Sequence, residues 1–127
     1  MQHSHQVQFV PNIVFIEPHA KFYKVLQTHL DCLHYNNTGF KNYLKALEYM
    51  KNNPPALIIC EKHLPDMNDV INYTLLKRFA ELKNIPIIHV ANDIDENKLG
   101  IKVDGSIVKF SNSQILNAKI RSTLNAL

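Results

Sequence analysis

Glu17 and Glu61 each follow a continuous apolar run, Ile13-Val14-Phe15-Ile16 and Leu57-Ile58-Ile59-Cys60, and Lys109 follows a short last strand, Ser106-Ile107-Val108. Ala91 closes a further buried-type strand, Ile85-Pro86-Ile87-Ile88-His89-Val90-Ala91. Unbroken apolar runs of this length read as strands buried on both faces of a parallel sheet. In open α/β sheets, ligands and chemistry gather where strands reach their carboxyl edge. Glu61 is therefore the first place to look for function, the plain alternative being a solvated Glu that merely ends a strand. With His19 and His63, the two glutamates have the donors for a borderline ion such as Zn²⁺, unless both histidines turn to solvent. Met1-Gln2-His3 at a free amino terminus is a second, square-planar set suited to Cu(II). Other chemistries lack their residues. With three glycines there is no Gly-rich phosphate loop, and no Ser-His-Asp or Cys-His spacing is present.

The segments between these runs carry the helices that must position them. Pro18 suits a first helical turn, and Phe22, Val25, Leu26, His29, Leu30 and Leu33 then recur at helical spacing. Tyr35 to Lys41 is the weakest stretch, where Asn36, Asn37, Thr38 and Gly39 make at best a short edge strand. Asn42 is placed to cap a helix through Lys51 with Leu44, Leu47 and Met50 inward, and Pro54-Pro55 stops it. Asn68 or Asp69 can cap a third helix whose inward stripe is expected to be Ile71, Leu75, Phe79 and Leu82. Residues 92–100 hold only a short helix, ended by Gly100. Ser111 and Gln114 have capping-box spacing before a final helix with Leu116, Ile120 and Leu124. His29 reads as a packed or rim histidine and His89 as a satisfied interior one. Strand and helix alternate throughout, which predicts a doubly wound α/β domain.

Composition bounds the rest. A chain of 127 residues, 46% hydrophobic and 20% charged, is expected to form one soluble domain over 12–127 after a polar tail at 1–11. The net charge of +3 comes from scattered basic residues with no basic stripe, which gives nucleic-acid binding little support. No run is apolar enough for a signal peptide or a membrane span. Cys32 and Cys60 sit inside apolar patterns and read as buried reduced thiols, as in a cytoplasmic protein.

Taken together, the strand ends resemble those of a response-regulator receiver domain over about residues 12 to 127. The specific stretches are Ala46 through Glu61, then Leu64-Pro65-Asp66-Met67, Asn84-Ile85-Pro86-Ile87-Ile88 and Lys109. The resemblance implies a five-stranded parallel sheet in order 2-1-3-4-5 with helices on both faces. It also implies what a working receiver uses: an Asp phosphoacceptor after the third strand, two acids holding Mg²⁺ after the first, a Thr or Ser after the fourth, and a Lys after the fifth. A histidine kinase supplies the phosphoryl group, and metal and Lys neutralise its charge.

This chain departs from that pattern at almost every such position. Glu61 fills the acceptor slot, and its extra methylene moves the carboxylate by roughly 1 to 1.5 Å, a misplacement that can cost about 10²-fold. Pro18 replaces the second acid, leaving the pocket Glu17 and Glu61, which predicts weak or absent Mg²⁺ binding. Ala91 and Ser106 replace the switch hydroxyl and the switch aromatic, Phe110 replaces the proline after the Lys, and Lys109 alone is unchanged. The short 92–100 segment implies a shortened fourth helix. The expectation is a pseudo-receiver: not an enzyme, but a phosphorylation-independent protein-interaction module without cofactor. Its partners would be proteins of a signalling pathway, such as a histidine kinase or an output domain. A homodimer would use the face of the fourth helix, fifth strand and fifth helix. The alternatives are an atypical but working receiver, with Glu61 or Asp66 as acceptor, and a small-ligand or metal-binding flavodoxin-like domain.

Overall fold

In the computed structural model, residues 11–61, 64, 66–91, 105–108 and 113–125 are described, with the backbone path alone at Ala91 and 105–108. The described strands are β1 (Asn12–Ile16), β2 (Asn36–Phe40), β3 (Leu57–Glu61), β4 (Ile87–Ala91) and β5 (Gly105–Val108). The described helices are α1 (Ala20–Cys32), α2 (Tyr43–Asn52), α3 (Met67–Lys83) and α4 (Ser113–Asn125). The sheet is parallel, in order β2-β1-β3-β4-β5. The expected tail to Val10 and the short helix over 92–100 lie outside the described residues, so the last helix is α4.

Burial on both faces explains the apolar runs. Alternate residues of β1 and β3 divide between two cores. Val14, Ile16, Ile58 and Cys60 pack with Tyr43, Met50, Tyr73 and Leu76 of α2 and α3. Ile13, Phe15, Leu57 and Ile59 pack with Leu26 and Leu30 of α1 and with Leu116 and Ile120 of α4. Each fully buried aliphatic or aromatic side chain contributes about 1.5–3 kcal/mol of hydrophobic stabilisation. On β2, Gly39 is needed for space, because a Cβ there would strike the Phe15 ring and the Tyr23 hydroxyl.

Several expectations are corrected. Helix α1 starts at Ala20, so Pro18 precedes the His19 cap position instead of opening the first turn. Asp66, not Asn68 or Asp69, caps α3, accepting the Asp69 N–H at 2.9 Å. Asn42 caps α2 as expected, accepting the Lys45 N–H at 2.8 Å. Leu44 is exposed, and Tyr43, Ala46, Leu47 and Met50 face inward. In α3 the inward stripe is Tyr73, Leu76 and Ala80, with Phe79 half-buried, while Ile71, Leu75 and Leu82 face solvent. The frame shifts because tyrosine, alanine and leucine bury together there while aliphatic residues occupy the other face too, leaving no single apolar stripe to read. Cys60 is buried, but Cys32 is exposed at the end of α1, where its neighbours turn toward solvent.

Candidate functional site

Glu17 and Glu61 come together because their strands are neighbours. The β1–β3 register aligns Ile16 with Cys60, so one further step carries both chains to a glutamate at the carboxyl edge. Both glutamates are buried, Glu17 at 1% and Glu61 at 5% exposure. Two carboxylates withdrawn from water need hydrogen-bond donors or cations to stay ionised. Glu17 has one in its own turn: its Oε2 accepts the His19 N–H at 2.9 Å. That bond ties the strand exit to the first helix, so Glu17 acts as a cap for the turn. Pro18 between them is exposed and offers no oxygen side chain.

The backbone of Glu61 is anchored from below. The Tyr43 hydroxyl donates to the Glu61 carbonyl at 2.7 Å, in a buried hydrogen bond between α2 and the end of β3. Tyr43 packs edge-on against Tyr73, with ring centroids 5.6 Å apart. The Tyr73 hydroxyl in turn lies 2.9 Å from His89 Nε2, the tautomer deciding which group donates. His89 stands beside Cys60 across the β3–β4 ladder and is 2% exposed. It is thus the packed histidine its place inside an apolar run suggests. Burial pushes the Tyr73 phenol well above its ordinary range, and the neighbouring Cys60 thiol adds to the shift. The two tyrosines are the residues that sequence reasoning missed. Their signal was available: Tyr43 and Tyr73 each sit at helical spacing from buried positions, at Leu47 and Leu76.

The other expected positions are met only in part. Ala91 ends β4 opposite Val108 of β5, and Ser106 pairs with His89, which puts both on the backbone path leading to the same edge. Lys109 directly follows β5 in sequence and lies outside the described residues, as do His63 and Phe110. His19 is exposed, its ring edge-on to Phe22 at 5.9 Å. Asp66, offered above as a substitute acceptor, is occupied as the α3 cap. Among the described residues there is no group of three or more His, Cys, Asp or Glu arranged to hold a metal. One Glu17 oxygen accepts the His19 N–H, and Pro18 beside it has no oxygen side chain to add.

No protein-family model matches the sequence, and no curated protein matches it either. Solved structures do. The signal receiver domain of a signal transduction histidine kinase from Syntrophus aciditrophicus aligns over 92% of each chain, with TM-score 0.74 and 21% identity. The signal receiver domain of a modulated diguanylate cyclase from Desulfovibrio desulfuricans G20 aligns over 93% of this chain and 96% of its own, with TM-score 0.78 and 19% identity. The chemotaxis protein CheY4 of Vibrio cholerae aligns over 91% and 99%, with TM-score 0.77 and 14% identity. The chain therefore has the flavodoxin-like fold of response-regulator receiver domains. At such identities the likeness speaks for the fold, and the chemistry must come from the residues.

Proposed function

We propose that the chain is a pseudo-receiver, a signalling module with the receiver fold that acts through protein contacts and not through phosphoryl transfer. The observation that carries this reading is the state of Glu61. An acceptor carboxylate must meet the phosphorus of an incoming donor in line, and Glu61 is a longer side chain with 5% of its surface exposed. Its main chain is held by Tyr43, and its neighbour Glu17 is engaged in the β1–α1 turn. Around it, Pro18, Ala91 and Ser106 stand where a working receiver has an acid, a hydroxyl and an aromatic. On this reading a pocket with no switch hydroxyl and no switch aromatic offers no second state for phosphorylation to favour.

The partners of such a module are proteins of a signalling pathway, of the kind that receiver domains serve in kinases and in proteins with separate output domains. The reading is tested by the amide spectrum of Glu61→Gln, which removes the charge and keeps the shape. Shift changes confined to the strand ends around Glu17 and Glu61 are the expected result. Changes spreading through β5 and α4 would reveal a coupled switch and overturn the fixed-module reading.

A further inference from the structure

The expected interaction face, built on 92–104 and the segment after β5, falls largely outside the described residues. A polar cluster that the strand-end pocket does not use lies inside the core. His89 sits in the middle of β4 at 2% exposure and alternates with Ile87 on the sheet face covered by α2 and α3. A buried imidazole is costly unless its nitrogens are hydrogen-bonded, and a buried imidazolium is costlier still. Tyr73 of α3, itself buried, brings its hydroxyl to 2.9 Å from His89 Nε2, with the two rings 5.7 Å apart. A phenol is a better donor than acceptor, and an unprotonated ring nitrogen is an acceptor only. The neutral histidine therefore accepts from Tyr73. Burial, and secondarily the Cys60 thiol, keep the phenol protonated and able to donate.

The groups around the ring decide what a proton would do there. On β3 the ladder partner is Cys60, and on β5 it is Ser106, which adds no charge. On α3, Asp69 and Lys77 stand one turn before and one turn after Tyr73, both half-buried, and their opposite charges largely offset one another at the ring. Tyr43 of α2 lies behind Tyr73, edge-on to it. Of the two buried carboxylates, Glu61 follows Cys60 and so projects from the other face of β3, and Glu17 is one strand further away with an oxygen on the His19 N–H. We propose that His89 and Tyr73 form an acid-released latch between β4 and α3: a proton taken from solvent onto Nε2 removes the lone pair that holds the Tyr73 hydroxyl, leaves an imidazolium in the apolar core, and frees the middle of α3 from the sheet. Both ring nitrogens then donate, and the phenol must turn away to another acceptor. Local opening admits the proton. The open form takes it up near the ordinary imidazole value of about 6.5, so the latch is closed above that pH and is released as pH falls below it. Release also reaches the carboxyl edge, because Tyr73 packs on Tyr43 and the Tyr43 hydroxyl anchors the Glu61 carbonyl. The input is a proton, and nothing in the latch depends on whether the strand-end pocket takes a phosphoryl group.

Amide hydrogen exchange, corrected for the intrinsic rate at each pH, tests the latch together with the ¹⁵N shifts of the His89 ring. Between about pH 7.5 and about pH 5, protection of the α3 amides over 70–80 should fall about tenfold or more, while the β1 amides keep theirs. In step with that fall, Nε2 should pass from an unprotonated acceptor to a protonated nitrogen. His89→Gln cannot titrate and still offers Tyr73 an amide oxygen, so its α3 protection should stay level over the same range. It keeps the other described histidines, exposed His19 and His34 and half-buried His29, and so isolates the one ring. An Nε2 that already carries hydrogen at pH 7.5, α3 protection that does not change, a loss spread evenly through β1 and every helix, or the same loss in His89→Gln would each overturn the proposal. The ring-nitrogen shifts need no variant, so they decide the matter even if His89→Gln does not fold.

Discussion

At the scale of single residues, the strand-end glutamates are held by the fold as much as they are available to it. Glu17 is visible in the sequence as an acid closing a strand, but its bond to the His19 N–H depends on where α1 begins, and Pro18 draws the eye to the wrong residue. Glu61 is equally visible, whereas its burial comes from neighbours that no local pattern brings together. The buried row Tyr43, Tyr73 and His89 gives this scale its test. Tyr73→Phe removes the hydroxyl that meets His89 Nε2 and leaves a buried ring nitrogen to be satisfied otherwise, which should cost about 1–3 kcal/mol in denaturant unfolding. It should also alter the response to alkali. The folded state holds the Tyr73 proton above its ordinary value of 10.0, chiefly through burial and secondarily through Cys60. The unfolded chain then releases that proton first, so the stabilisation is complete below about pH 10 and is lost as pH rises beyond it. A wild-type stability that falls above pH 10 more steeply than that of Tyr73→Phe is the expected outcome. Parallel slopes would place the alkaline loss elsewhere.

At the scale of elements, strands were far more legible than helix faces. A strand buried on both sides writes itself as an unbroken apolar run, and β1, β3 and β4 fall on such runs within two residues of expectation. The edge strand β2 has no such run, since Asn36 is exposed and Asn37, Thr38 and Gly39 are only half covered, so the sequence marks it weakly. Helix α3 misled because apolar residues surround it. Tyr73, Leu76 and Ala80 are the buried set, and the aliphatic residues expected inside line the outside. Paired truncations decide which face is which. Leu76→Ala, at 0% exposure, should cost about 2–5 kcal/mol. Leu75→Ser, one residue earlier, should change stability by less than about 0.5 kcal/mol in dilute solution. Comparable losses at both positions would show that α3 is rotated from the arrangement described.

At the scale of the whole molecule, a doubly wound sheet brings strand ends from distant parts of the sequence to one edge, and this chain keeps that geometry. The general architecture could be read in advance because strand and helix alternate and the central strands β1 and β3 are unbroken apolar runs. What the edge does could be read only by the residue types standing there, since the fold serves many chemistries. On the reading proposed above, Glu61, Pro18 and Ala91 each lack a different requirement of phosphoryl transfer and Ser106 lacks the switch aromatic, so reverting any one alone would restore little. Incubation of the unmodified chain with acetyl phosphate and Mg²⁺, followed by intact mass spectrometry, asks the question directly. The account predicts an unchanged mass at every time point. A covalent adduct of phosphoryl mass, mapped to Glu61 or to Asp66, would contradict it.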